Sequence, residues 1–151
     1  MELFSIRPME ESDLDVALYL ENACFIAPFG VQELNYEISQ NPVSNMWVIE
    51  SSVSGVVGFI DYWITFDSAT IAQICVNPAF RKRGLASMLL EEAIKDCRAH
   101  KVRNVTLEVR EHNLSAYNLY TKFGFKKILL KERYYTNGDN AIYMVKELGE
   151  E

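Results

Sequence analysis

Residues 73–86, Q-I-C-V-N-P-A-F-R-K-R-G-L-A, constrain this chain more than any other stretch. A short apolar run ends at Asn77-Pro78. The cations Arg81, Lys82 and Arg83 follow, and Gly84, Leu85 and Ala86 open a long amphipathic segment. That order reads as strand, turn and helix. The first N–H groups of a helix have no partner inside it, and together with the helix dipole they attract anions. Gly84 carries no Cβ, so a phosphate can approach its backbone closely. The stretch therefore predicts a phosphate-bearing ligand held by Arg81, Lys82, Arg83, Gly84, Leu85, Ala86 and Ser87. The spacing is neither G-x-x-x-x-G-K-[ST] nor G-x-G-x-x-G. Taken alone, the same residues serve equally well as a charged turn capping a core helix.

A chain of 151 residues is long enough for one domain, taken here as 1–151, with a real apolar core. Its formal charge of −6 argues against broad nucleic-acid binding, which needs a net basic face, and suits a basic protein or peptide partner. The basic triplet at 81–83 then stands out as a local exception. No run approaches the ~20 apolar residues of a membrane span, and Met1-Glu2-Leu3 lacks the basic start of a secretory signal. Cys24, Cys75 and Cys97 lie far apart and form no C-x-x-C, so they read as reduced core residues of a cytoplasmic protein. His100 and His112 are isolated, no metal-ligand spacing is present, and no metal is expected.

Alternation at Phe4 and Ile6 predicts a first strand ending near Pro8, and Ser12 is placed as the cap of a helix through about Cys24. A shorter helix is expected over 31–39, then strands over 46–50, 56–64 and 69–76, the first two joined in a hairpin across 51–55. The helix after Gly84 carries Leu85, Met88, Leu89, Ala93 and Cys97 on one face. Val105, Leu107 and Val109 alternate with Thr106, Glu108 and Arg110 as a strand. Asn113 can cap a short helix bearing Ala116, Leu119, Tyr120 and Phe123, which Gly124 ends. Strands over 125–131 and 141–145 close the order β-α-α-β-β-β-α-β-α-β-β, an α+β chain.

Several of these segments carry a shared pattern. Arg81-x-x-Gly84-x-Ala86 resembles the [RQ]-x-x-G-x-[GA] pyrophosphate loop of the GNAT acetyltransferases. The run Leu107-Glu108-Val109-Arg110, then Asn113-x-x-Ala116, then Leu119-Tyr120-x-x-x-Gly124-Phe125 resembles the second half of that family's core. Together with Arg133-x-Tyr135 and Ala141-Ile142-x-Met144, it is similar to the RimI-type ribosomal-protein-alanine N-acetyltransferases. The resemblance spans essentially the whole chain. It implies the GNAT acyl-CoA N-acyltransferase fold, a mixed, mostly antiparallel sheet with helices on both faces. It also implies acetyl-CoA as co-substrate, and direct transfer without an acyl-enzyme.

The resemblance assigns general base to Glu108 and general acid to Tyr120. Read from pattern alone, Glu108 is a solvated residue on the outer side of its strand and Tyr120 a core aromatic. A thiol near pKa ~8.5 is more acidic than a phenol near ~10, so Tyr120 is expected mainly to hydrogen-bond a departing thiolate. Backbone groups at Ile74, Cys75 and Val76 are implied to hold the pantetheine arm and polarise the thioester carbonyl, which needs no special side chain. Cys75 is not expected to be a nucleophile. Asn113 is a helix cap and, by resemblance, a cofactor contact. Tyr134 and Tyr135 are strand aromatics or walls of the acceptor pocket.

At pH 7 about a tenth of an α-amine of pKa ~8 is neutral, against fewer than one in a thousand for a lysine near ~10.4. One carboxylate suits the former better. The expected activity is acetylation of a protein N-terminus, the alanine of a small-subunit ribosomal protein. Small-molecule amines, protein lysines and a non-catalytic acetyl-CoA-binding module are the alternatives.

Overall fold

A computed structural model describes residues 1–149. The strands are β1 (Phe4–Pro8), β2 (Ser44–Ser51), β3 (Gly55–Thr65), β4 (Ser68–Val76), β5 (Asn104–Arg110), β6 (Lys126–Lys131) and β7 (Ala141–Glu147). The α-helices are α1 (Leu14–Cys24), α2 (Val31–Ser39), α3 (Leu85–Ala99) and α4 (Leu114–Lys122). The strands form one seven-stranded sheet in the order β1-β2-β3-β4-β5-β7-β6. Every neighbouring pair is antiparallel except β4 and β5. The expected element order and the mixed, mostly antiparallel sheet are therefore observed.

Alternation decides which side of the sheet each residue serves. Val105, Leu107 and Val109 are buried against the helix face formed by Leu85, Leu89, Leu90, Ala93, Ile94 and Cys97 of α3. Tyr120 of α4 joins the same cluster. The opposite side is covered by α1, whose Leu20 packs on Val48, Phe59 and Cys75, with α2 beside it. Helices thus lie on both faces.

Two expectations fail locally. Met88 is 38% exposed, and Leu90 and Ile94 take the buried places instead. At 100° per residue the stripe passes between Leu85, Leu89 and Ala93 and sweeps toward Leu90, leaving Met88 at its margin. Ser12 does not cap α1, because it lies inside a 3-10 turn, Glu11–Asp13, and the α-helix begins at Leu14. Asp13 closes that turn instead, accepting from the Glu10 N–H at 2.8 Å. Arg7 holds the same carboxylate through two N–H groups at 2.8 and 2.9 Å and keeps its pKa below the usual range.

Two register irregularities aim the side chains of β4 and β6. In β3–β4, Asp61 pairs with Gln73 and Tyr62 with Ile71, so Ala72 has no partner and Gln73 and Cys75 turn toward α1. In β6–β7, Lys127 pairs with Met144 and Leu129 with Tyr143, so Ile128 is skipped. Among the described residues no helix is long and apolar enough to cross a membrane.

Candidate active site

The ladder between β4 and β5 covers only Ser68↔Asn104, Ala69↔Val105 and Thr70↔Thr106. Beyond Thr70, β4 continues to Val76 and β5 to Arg110 without pairing, so a wedge opens between them toward the C-terminal ends of both strands. Backbone groups on that side of β4 have no strand to bond, and they are available to a ligand lying in the wedge. Parallel neighbours that separate at their carboxyl ends are where α/β sheets place ligands.

Ile74, Cys75 and Val76 form the β4 wall. Cys75 and Val76 are buried, and Ile74 packs against the α3-side core. The Val76 carbonyl accepts from Arg81 Nε at 3.3 Å and from Cys24 Sγ at 3.4 Å. Burial, with Cys24 alongside, raises the Cys75 thiol well above its ordinary pKa, so it is held as the neutral thiol.

The basic triplet does not act as a unit. Arg81 folds inward onto Val76, while Arg83 pairs with Glu2 at 3.2 Å and lies 4.9 Å over the Phe80 ring. Lys82 is exposed and takes a left-handed backbone at φ 64, as Gly84 does at φ 76. A Cβ at Gly84 would meet no atom within 4 Å, and no side chain caps α3 at that residue. The N–H groups of Leu85, Ala86 and Ser87 therefore open a helix start toward free space.

Across the wedge, Glu108 stands on the α1 side of β5, opposite Tyr143 of β7. Its carboxylate receives Lys131 Nζ at 2.5 Å. That ammonium lies 4.9 Å from the Tyr143 ring centre and 5.1 Å from that of Tyr134, and its pKa is raised chiefly by its bond to Glu108. Tyr134 and Tyr135 meet edge to face at 5.1 Å, and Arg110 lies 3.8 Å over Tyr135 while paired to Asp139 at 2.9 Å. Burial raises the Tyr135 hydroxyl, and Glu108 adds to the rise.

Tyr120 is buried on the other side of the sheet, edge to face with Phe125 at 5.8 Å. Burial, then the nearby Tyr135, pushes its phenol well above the usual range, so it holds its proton at neutral pH. Asn113 caps α4 as expected, accepting from the Ala116 N–H at 3.2 Å.

Sequence reasoning did not find Lys131, Cys24 or Glu21. Glu21 is 0% exposed at the α1 end. One of its carboxylate oxygens takes the Phe29 N–H at 2.7 Å and Gln73 Nε2 at 3.1 Å, tying the α1–α2 connection to β4. Burial outweighs those bonds and raises its pKa to about 6. A glutamate on α1 gives no sign of this burial, which follows from Gln73 turning inward at the Ala72 bulge.

The sequence pattern of the acetyltransferase (GNAT) family matches residues 14–125. The chain is 32% identical over 141 residues to a Bacillus subtilis (strain 168) protein that carries the name ribosomal protein bS18-alanine N-acetyltransferase provisionally, covering 93% of each. The ribosomal-protein-S18-alanine N-acetyltransferase of Escherichia coli superposes with a TM-score of 0.90 at 26% identity, covering 99% of this chain and 96% of that one. An Arabidopsis thaliana protein, NAA60, solved in complex with acetyl-CoA shares the fold, with a TM-score of 0.86 at 20% identity, covering 97% of this chain and 99% of that one. Matched along most of its length in both sequence and fold, this chain belongs to the GNAT family of acetyltransferases.

Proposed function

We propose that this chain is a cytoplasmic, acetyl-CoA-dependent Nα-acetyltransferase acting on the N-terminal alanine of a small-subunit ribosomal protein. One observation carries the reading. Glu108 and the faces of Tyr134 and Tyr143 surround an ammonium, that of Lys131, beside the wedge between β4 and β5. A carboxylate framed by aromatic faces is a place for an amine, and Lys131 occupies it as an incoming α-ammonium would. The names of the B. subtilis and E. coli relatives support the alanine acceptor.

Acetyl-CoA would supply the activated acetyl thioester. The open Gly84 backbone and the first N–H groups of α3 fit its pyrophosphate, with Arg81 and Lys82 as the adjacent cations. The Arg83 side chain, tied to Glu2, contributes less than the sequence pattern implies. Backbone groups of Ile74, Cys75 and Val76 line the wedge where the pantetheine arm would run. In this reading Glu108 accepts a proton from the acceptor amine, which displaces Lys131 from the carboxylate. Tyr120, holding its proton, donates a hydrogen bond toward the departing thiolate.

The test is thiol release from acetyl-CoA with a panel of acceptors. Alanine-start ribosomal-type peptides are compared with the same peptides N-blocked, with lysine peptides and with spermine. Turnover confined to free alanine N-termini is expected. Turnover on lysines or polyamines overturns the acceptor, and CoA binding without any turnover overturns the enzyme.

A further inference from the structure

Two of the three cysteines, far apart in sequence, meet where α1 ends against β4. Cys24 closes α1 and packs on the apolar cluster that contains Cys75, together with Leu20, Val48 and Phe59. Cys24 Sγ lies 3.4 Å from the carbonyl of Val76, the residue after Cys75, and Arg81 Nε reaches the same carbonyl at 3.3 Å, so the two thiols and the guanidinium gather at one corner and shift one another's titration. Cys24 is partly open to solvent, whereas Cys75 is 6% exposed. Cys97 lies on α3, across the sheet from both.

We propose that Cys24 and Cys75 form a redox pair, with Cys24 the peroxide-reactive thiol and Cys75 the resolving one. The chemistry balances without any metal or cofactor. The Cys24 thiolate attacks a hydroperoxide O–O bond and becomes a sulfenic acid, releasing water after proton uptake when the oxidant is hydrogen peroxide. Cys75 sulfur then attacks that sulfur and the S–O bond breaks. The Cys75 proton goes to the departing hydroxide as a second water, leaving a Cys24–Cys75 disulfide. Two thiols are oxidised and one peroxide is reduced.

Three features of the site favour this division of roles. The partly exposed cysteine is the one beside a guanidinium, which favours its thiolate. Cys75, then Arg81, lowers its pKa to about 7, against the opposing effects of burial and of Glu21. Buried Cys75 belongs to the apolar cluster on which Cys24 packs, which places a second thiol where it can resolve the sulfenic acid.

The disulfide also acts on the wedge. Cys24 Sγ, as a thiol, donates to the Val76 carbonyl at 3.4 Å, beside Arg81 Nε at 3.3 Å. Oxidation removes that donor where Cys24 is a thiol, and removes the charge facing Arg81 where it is a thiolate, so the corner shared by Cys24, Val76 and Arg81 loses one of its interactions in either case. Loss of acetyl transfer on oxidation rests on the proposed function, whereas formation of the disulfide does not.

The test treats the reduced full chain with hydrogen peroxide at pH 7, alkylates the remaining thiols and maps them by mass spectrometry, alongside Cys24→Ser, Cys75→Ser and Cys97→Ser. The wild-type and Cys97→Ser proteins are expected to lose two alkylatable thiols each, with a Cys24–Cys75 linked peptide that dithiothreitol releases. Cys75→Ser should stop at a dimedone-reactive Cys24. If the buried hydroxyl of Cys75→Ser prevents folding, Cys24 alkylation in the wild type, half-maximal near pH 7, identifies the reactive thiol instead. The pairing is overturned if Cys24 and Cys75 stay alkylatable while Cys97 oxidises, or if the linked peptide joins two chains. A loss of acetyl-CoA turnover that accompanies the linked peptide and is reversed by dithiothreitol supports the coupling. The linked peptide in a protein with no reduced-state turnover supports the pair and overturns the proposed function alone.

Discussion

Lys131 Nζ sits 2.5 Å from the Glu108 carboxylate, an ion pair that joins β6 to β5 across β7 and lies at the mouth of the β4–β5 wedge. The pair is only partly covered, with Lys131 at 36% and Glu108 at 23% side-chain exposure. It is therefore weak enough to exchange. Exposed ion pairs are worth roughly 0.2–1 kcal/mol. Lys131→Met is expected to lower the KM for an acceptor peptide, by no more than about fivefold on that scale. Steady-state kinetics with an alanine-start peptide check it, and a raised KM would show that Lys131 binds the acceptor rather than competing with it.

Glu108→Gln keeps the size and loses the proton acceptor. General-base roles contribute about 10²–10⁴-fold, so kcat should fall at least about a hundredfold. The Kd for CoA should not change, because Glu108 sits on β5 and not at the α3 start. Turnover close to wild type would remove Glu108 from the mechanism.

How much of this is legible in the sequence depends on the kind of signal. The outward position of Glu108 follows from strict alternation at Val105, Leu107 and Val109, and the structure agrees. The α4 cap at Asn113 and the loop at Gly84 are local, set by residues a few positions apart, and they too are readable. Lys131 is not. It reaches the Glu108 side only because Ile128 is skipped in the β6–β7 register, and a one-residue shift moves every later side chain to the other face. The placing of Cys75 in the cluster on which Cys24 packs, and the bond of Gln73 to Glu21, depend in the same way on the unpaired Ala72. Such long-range register has no marker in a single sequence. The side chain of Arg83 is lost to the anion site through Glu2, a partner 81 positions away.

Tyr120 is the buried phenol whose raised pKa makes it a hydrogen-bond donor at neutral pH. A hydrogen bond to a charged group is worth about 1.5–3 kcal/mol, so Tyr120→Phe should lower kcat by about ten- to a hundredfold. The Kd for acetyl-CoA should hold, since the aromatic contact with Phe125 is retained. Single-turnover measurements decide it. An unchanged rate leaves Tyr120 as core only, while a loss beyond about 10⁴-fold would make it an obligatory acid.

Gly84 and Gly58 separate ligand binding from packing. Gly84 stands at φ 76 with open space where a Cβ would go, so Gly84→Asp carries backbone strain of roughly 1–2 kcal/mol and no clash. Its carboxylate would, however, face the proposed pyrophosphate. A Cβ on Gly58 would come within 2.7 Å of the Cys75 carbonyl oxygen and 3.1 Å of Ile49 Cγ2, so β3 or β4 must move. Gly84→Asp should abolish CoA binding with a modest fall in Tm, and Gly58→Ala should lower Tm further. Calorimetry and a CoA titration on both variants check this. CoA binding that survives Gly84→Asp would move the anion site elsewhere.

Asp61 and Glu37 supply a pH signature independent of catalysis. Asp61 is 0% exposed and accepts from Ser44 Oγ at 2.7 Å, beside Glu37, which accepts from Trp63 Nε1 at 2.6 Å and Asn41 Nδ2 at 2.8 Å. Burial, then the contact with Glu37, raises Asp61 to about 9. Burial works on Glu37 in the same sense, but Asp61, Asn41 and Trp63 together hold it below its ordinary value. The folded chain therefore keeps a proton on Asp61 that the unfolded chain sheds above about pH 4, and this contribution to stability declines as pH rises toward 9. One such proton sets a slope of about 1.4 kcal/mol per pH unit. Cys24, lowered to about 7, acts in the opposite direction above that pH, so wild type must be compared with Asp61→Asn, which shares Cys24. The amide introduced by Asp61→Asn keeps the size and can still accept from Ser44, but would not titrate. Urea unfolding at pH 5, 6, 7 and 8 should give a wild-type stability that falls, relative to the variant, by about one proton's slope, and parallel curves would show that Asp61 is ionised in the folded protein.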